Sequence, residues 1–262
     1  MRRPRPGPPI AVAILACLAA GSPAAAAAGV VLPGAAVAAG SKPLAGRTIV
    51  LNPGHNGGNG GAPGVINRQV DIGQGRRKAC DTTGTSTNAG YAEAAYTWDV
   101  ALRARRVLRR RGATVVLTRN DNHSVGPCVD ERARIANRAH ADAAVSIHAD
   151  GGPASGVGFH VIEPALIAGL TDDIFAASHR LAVDLRATFR RATGEPYANY
   201  IAHNGLDRRS DLGGLRLADV PAVFIETGNM RNAGDAGRMV RPDYRLRVAR
   251  GIADGIQRFL TR

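Results

Sequence analysis

Residues 48–58 read TIVLNPGHNGG. An unbroken apolar run ends at Asn52-Pro53-Gly54, presents His55, and gives way to Asn and Gly. A strand with one wet face alternates apolar and polar residues, whereas a strand covered on both faces is apolar throughout. The second pattern recurs downstream in AAVSI (143–147) and AVFI (222–225). Three such runs predict the centre of a buried, mostly parallel sheet.

Between these runs the spacing is helical. Over residues 88–111 the apolar positions Tyr91, Ala95, Trp98, Leu102 and Val107/Leu108 recur at roughly helical intervals, with Arg103, Arg106 and Arg110 on the other face. Gly112 follows where a helix commonly needs a left-handed residue. Helices are also expected over 130–140, 171–191 and 242–260, the second with Asp172 and Asp173 favourable near its N-terminus. TVVLTR (114–119) and GVGFHVIE (156–163) read as strands, and DLGGLRL (211–217) as a short one. Residues 56–88 are rich in Gly, Asn, Thr and Arg and read as a long loop with room for a hairpin. A connection of that length is usually functional. Strands alternating with helices argue for an α/β sandwich with a mostly parallel, twisted central sheet, in one domain over 45–262. Aromatics are only 4% of the chain, so a core mostly of Ala, Val, Leu and Ile is expected.

The N-terminus has a different character. Arg2, Arg3 and Arg5 precede an apolar run from Ile10 to Ala20 and the small-residue stretch GSPAAAAAG, the layout of a secretory signal peptide over 1–28. ILAC, ending at Cys17, leaves a lipoprotein leader open. Residues 29–44 read as a linker. Removal of the leader takes Cys17 with it and leaves Cys80 and Cys128. In an oxidising compartment a disulfide between them is expected, contributing about 3–4 kcal/mol on a chain-entropy model. No body segment is long and apolar enough to span a membrane. The formal charge is +13, or +10 without the three leader arginines. That excess favours an anionic partner, a wall polymer or membrane surface before nucleic acid, for which no motif is visible.

The chemistry-bearing residues fall in equivalent places. His55 follows the first buried strand, His148 ends the second and Glu226 ends the third. Ligands of open α/β sheets bind at that carboxyl edge. Glu93 stands at the start of the first long helix, whose polar end meets the same edge if the helix runs antiparallel to the strands. Two imidazoles and a carboxylate suit a tetrahedral zinc site with one open position, and hydrolysis needs a further unligated carboxylate to carry a proton, a role that Glu226 fits. Each residue also has a plainer reading. The histidines can be satisfied by backbone groups, Glu93 can serve the helix dipole, and Glu226 can cap a helix or pair with an arginine. HExxH is absent. His123, His140, His179 and His203 read as loop or helix-surface residues, and His160 as structural.

Four stretches, IVLNPGHNG (49–57), YAEAAYTWDVALRARRVLRRRGATVVLTR (91–119), DERARIANRAHADAAVSIHAD (130–150) and VPAVFIETGNMRNAGDAGRM (220–239), resemble the zinc-dependent N-acetylmuramoyl-L-alanine amidases, which cleave peptidoglycan. The likeness runs in order over nearly the whole mature chain. Asn52 stands where aspartate is common in that family. The resemblance implies zinc bound by His55, Glu93 and His148, with Glu226 as the catalytic carboxylate. It implies a three-layer α/β fold and hydrolysis of the amide between the lactyl group of N-acetylmuramic acid and L-alanine. With the leader, it points to a secreted or periplasmic, wall-associated protein acting on peptidoglycan; a monomer is expected because no oligomer seam is visible in the sequence. A peptidase cutting within the stem peptide and a non-catalytic wall-binding relative remain alternatives. The stretch from His55 to Glu93, carrying Cys80, is expected to flank the groove, with Arg76, Arg77 and Lys78 either touching substrate or forming a solvated run.

Overall fold

The computed structural model describes residues 42–262, together with Gly7 and Pro9. The expected leader and most of the expected linker therefore lie outside the described residues. Leu44, at the linker's expected end, is fully buried, and its amide donates to Arg111 O, so packing begins before residue 45.

The chain enters through strand β1 (Thr48–Pro53), helix α1 (Pro63–Ile66), and strands β2 (Gln69–Asp71) and β3 (Arg77–Ala79). Helix α2 (Glu93–Arg110), strand β4 (Thr114–Leu117), helix α3 (Val129–Arg138) and strand β5 (Ala143–Asp150) follow. Then come β6 (His160–Pro164), α4 (Phe175–Thr193), β7 (Leu206–Arg209) and α5 (Gly213–Arg216). Strand β8 (Ala222–Asn229) and helices α6 (Ala233–Met239) and α7 (Pro242–Leu260) complete the described chain.

The three apolar runs lie side by side in a six-stranded sheet of order β4-β1-β5-β8-β6-β7. All neighbours are parallel except β6 and β8. Alternate residues explain the continuous hydrophobicity. Ile49, Leu51, Val145, Ile147, Val223 and Ile225 join one core cluster with residues of α2, α4 and α7. Val50, Ala144, Ile162 and Ala222 join a second with Ala136 of α3 and Leu215 of α5. Helices cover both faces, so neither set can be polar.

Helix α2 ends as expected. Gly112 takes φ +98°, its amide reaches Arg109 O, and the Ala113 amide reaches Leu108 O. Those two bonds satisfy carbonyls that the helix leaves open. Its start differs from the expected position near 88, because Thr87, Gly90 and Tyr91 close a turn on one another and Gly90 takes φ +86°. Glu93 is therefore in the helix's first turn. Helix α4 likewise begins at Phe175, later than expected. Thr171 and Asp172 are occupied in the preceding turn, accepting from the amides of Ile167 and Gly169, and no acid stands in the helix's first turn.

The expected strand over 211–217 is not formed. Arg216 donates to Ile72 O, Gly73 O and Ser210 O, and these bonds accompany a single helical turn, α5. The strand lies just before it, at the polar edge segment 206–209, which presents no apolar pattern. Helix α6 is not among the helices expected from the sequence; the Asn232 side chain caps it by accepting from the amides of Gly234 and Asp235. Inside the long loop, β2 and β3 form an antiparallel hairpin, and Cys80 is bonded to Cys128 just before α3. Among the described residues no helix is long and apolar enough to cross a membrane.

Candidate metal centre

Three elements deliver side chains to the carboxyl edge of the sheet. β1 ends in Pro53, and the Gly54 amide still bonds Ile147 O of β5. His55 then turns the chain with φ +57°, a left-handed conformation that is uncommon for a residue with a side chain. His148 lies near the end of β5. Glu93 opens α2, and buried Arg119 joins that turn to β1 by donating to both Ala94 O and Pro53 O.

The side chains converge. His55 Nε2 is 3.2 Å from Glu93 Oε2, and His148 Nδ1 is 3.0 Å from Glu93 Oε1. One ligand atom from each residue lies within 4.8 Å of the other two. Glu93, 3% exposed, also accepts from the amides of Thr85 and Ala149 at 2.9 and 3.1 Å. The His148 ring stacks on Phe224, with centroids 5.2 Å apart. Its other side needs Gly54: a Cβ there would lie 2.3 Å from His148 Cε1. Gly84, at φ +74°, leaves similar room beside His55 and Glu93.

The electrostatics match a cation site. Burial alone lowers the affinity of His55 for a proton, but the Glu93 and Asp81 carboxylates outweigh it and push the imidazole up to about 10. Burial raises Glu93, yet His55 and His148 hold it well below the usual carboxylate range. His148 is lowered by burial, against the pull of Glu93. A buried carboxylate thus shares a positive charge with two imidazoles, and a nitrogen, nitrogen and oxygen donor set of this kind can hold a metal ion such as zinc.

Glu226 stands beside the trio and is not one of its three members. It is the register partner of His148 across parallel β5–β8 and of His160 across antiparallel β6–β8. A cavity of about 320 Å³ is lined by His55, Glu93, His148 and Glu226, with Asp150 and Arg209 on its wall. Burial pushes the Glu226 carboxyl well above the ordinary range, and the negative charges of Glu93 and Asp150 push it further. Its buried Oε2 has no hydrogen-bond partner. A second, more apolar cavity of about 200 Å³ borders the same histidines and is lined by Val129, Leu212 and Phe224, with Lys78 also on its wall.

All four sequence-selected residues meet at one place. Of the basic run, Lys78 lines the apolar cavity while bonding Asp211, whereas Arg77 bonds Gln69 O within the hairpin. His160 is buried within β6, and His179 pairs with buried Glu163, away from the trio. Sequence reasoning missed Asp81 and Arg132. Asp81 accepts from His55 Nδ1 at 3.1 Å, and Arg132 donates to Asp81 at 3.1 Å. The adjacency of Asp81 to Cys80 was the one signal available.

Comparison with known proteins gives a single answer. Residues 49–258 match the family model described as N-acetylmuramoyl-L-alanine amidase. The chain is 42% identical over 220 residues to the N-acetylmuramoyl-L-alanine amidase Rv3717 of Mycobacterium tuberculosis, covering 83% of this chain and 88% of that protein. The crystal structure of the N-acetylmuramyl-L-alanine amidase Ami1 from Mycobacterium smegmatis matches with a TM-score of 0.77 and 42% identity, over 83% of this chain and 98% of that one. The apo Ami1 of Mycobacterium abscessus matches with a TM-score of 0.78 and 43% identity, over 83% of this chain and 100% of that one. A family match across the sheet and its helices, agreeing with relatives at this identity, means that the chain belongs to the N-acetylmuramoyl-L-alanine amidase family.

Proposed function

We propose that the chain hydrolyses the amide joining the lactyl group of N-acetylmuramic acid to the L-alanine of a peptidoglycan stem peptide. In this reading His55, Glu93 and His148 hold zinc, and Glu226 is the proton-carrying carboxylate. The observation that carries it is the convergence of those three donors in one cavity with Glu226, whose buried oxygen lacks a partner. The names of the relatives support the reaction class.

Zinc bound there would supply Lewis-acid polarisation of the scissile carbonyl and a water activated near neutral pH. The rest belongs to the chain. Glu93, fixed by two backbone amides, supplies the negative charge of the donor set. Glu226 takes a proton from the attacking water and returns it to the alanine nitrogen, so the amide and water become a free lactyl carboxyl and a free amine. Burial and the neighbouring negative charges of Glu93 and Asp150 favour the neutral acid, which suits the second half of that exchange. Phe224 keeps the His148 ring from turning.

The same reading extends to location and assembly. Residues 1–28 serve as a secretory leader and the stretch from 29 up to the packed segment at Leu44 as a linker, and the catalytic domain acts outside the cytoplasm at the wall as a single copy. The Cys80–Cys128 bond suits an oxidising compartment, and the net positive charge suits an anionic wall. Purified muropeptides digested with the zinc-loaded protein test the reaction. Mass spectrometry is expected to find intact stem peptides with free N-terminal L-alanine. Fragments cut within the stem would indicate the peptidase instead, and absence of cleavage would remove the enzymatic reading.

A further inference from the structure

The two imidazoles of the trio are held in different ways. His148 is confined by surfaces, the Phe224 ring on one side and the Gly54 backbone on another. His55 is held by hydrogen bonding through Nδ1, the nitrogen opposite the one that meets Glu93. Its nearest acceptor there is Asp81 Oδ1, at 3.1 Å. Asp81 is 6% exposed and belongs to no ligand set, so a buried negative charge is placed behind the ring.

Asp81 is itself anchored. Arg132 Nη2 donates to Asp81 Oδ2 at 3.1 Å and to His55 O at 3.1 Å. Arg132 Nη1 donates to Asn52 Oδ1 at 2.7 Å and Pro53 O at 2.8 Å, and Nε donates to Pro127 O at 2.8 Å. One buried guanidinium therefore grips the end of β1, on which His55 is mounted, and the carboxylate that its ring meets. Asn52, where the family commonly has aspartate, is part of that grip and accepts as a neutral amide.

We infer that Asp81, anchored by Arg132, is a positioning residue that holds His55 with its proton on Nδ1 and with Nε2 free for a metal ion, and thereby sets the affinity of the centre. The inference rests on the metal-centre reading given above. A carboxylate behind a ligating imidazole raises its basicity as well as orienting it, and removal of such a partner typically weakens metal binding about 10- to 100-fold. A competing arrangement is present. Thr82 O and Thr82 Oγ1 each lie 3.2 Å from the same nitrogen, and a carbonyl alone also fixes a tautomer. The two accounts differ in whether the charge of Asp81 matters.

The test is zinc affinity, measured by competition with a chelator of known affinity, for the wild type and Asp81→Asn, with the zinc-free fold of each checked by circular dichroism. Asn has the same shape and keeps an acceptor but has no charge. The expected result is about 10- to 100-fold weaker zinc binding, with turnover largely restored at saturating zinc. Equal affinity overturns the inference and assigns the tautomer to Thr82. A wild type that binds no zinc overturns the metal-centre reading together with it. Because loss of a charge beside Arg132 can unfold the variant, a second measurement uses the wild type alone. Imidazole nitrogen NMR of the zinc-loaded protein should show His55 with a proton on Nδ1 and zinc on Nε2, and zinc on Nδ1 overturns the inference.

Discussion

His148 and Glu226 occupy paired positions on adjacent parallel strands, the sixth residue of β5 beside the fifth residue of β8. A member of the donor trio and the unpartnered carboxylate are thereby set at a fixed spacing by backbone hydrogen bonds. Sheet register is rigid compared with loop geometry, so the proposed metal and the proposed base cannot drift apart without breaking the centre of the sheet.

From that relationship the roles should separate cleanly. Glu226→Gln keeps the shape of the side chain and removes its base. It is expected to bind zinc as the wild type does and to lose about 10²- to 10⁴-fold in turnover, the range typical of general acid–base catalysis. Zinc stoichiometry and muropeptide release measured on the same preparation check this. Loss of the metal would place Glu226 among the ligands.

Gly54 tests the steric half of the site. Gly54→Ala puts a methyl group 2.3 Å from His148 Cε1, while Phe224 blocks the ring's retreat. We expect zinc affinity to fall by at least about tenfold, with a stability loss of about 1–3 kcal/mol, as for other overpacked sites. Gly64→Ala is the control, since a Cβ there meets nothing within 4 Å. Chelator competition and thermal melts distinguish the two variants, and equal zinc affinity for both would contradict the geometry.

The zinc-free protein should have a characteristic pH profile. His55 is raised from its ordinary 6.5 to about 10, so its contribution to stability is complete below pH 6.5 and is lost as pH rises through 10. Glu93 is lowered from 4.5, so its contribution is present above pH 4.5 and is lost as pH falls toward its depressed value. Stability from the pair is therefore greatest between about 4.5 and 6.5 and declines on either side. His55→Asn should remove the alkaline slope in melts of the zinc-free protein; an unchanged slope would place its origin elsewhere.

The buried strands were legible because they are covered on both faces and must therefore be continuously apolar, and the polar residue that ends each run marks the sheet's ligand-binding edge. For the same reason His55, His148 and Glu226 are legible together from the sequence. Edge strand β7 was not legible, since LDRR has no apolar period, and DLGGLRL resembled a strand while its backbone is curled by Arg216. The stretch before Glu93 was the least legible. Its shape comes from the Cys80–Cys128 bond, from Asp81 and Arg132, and from tight glycines, all of which act over sequence separations that a local pattern does not record.

Anomalous diffraction at the zinc absorption edge, from crystals of the zinc-loaded protein, tests the central claim most directly. One peak per chain is expected, within coordination distance (about 2.0–2.2 Å) of His55, Glu93 and His148 together. A peak that misses any one of these three residues, or no peak at the carboxyl edge of the sheet, would contradict the account.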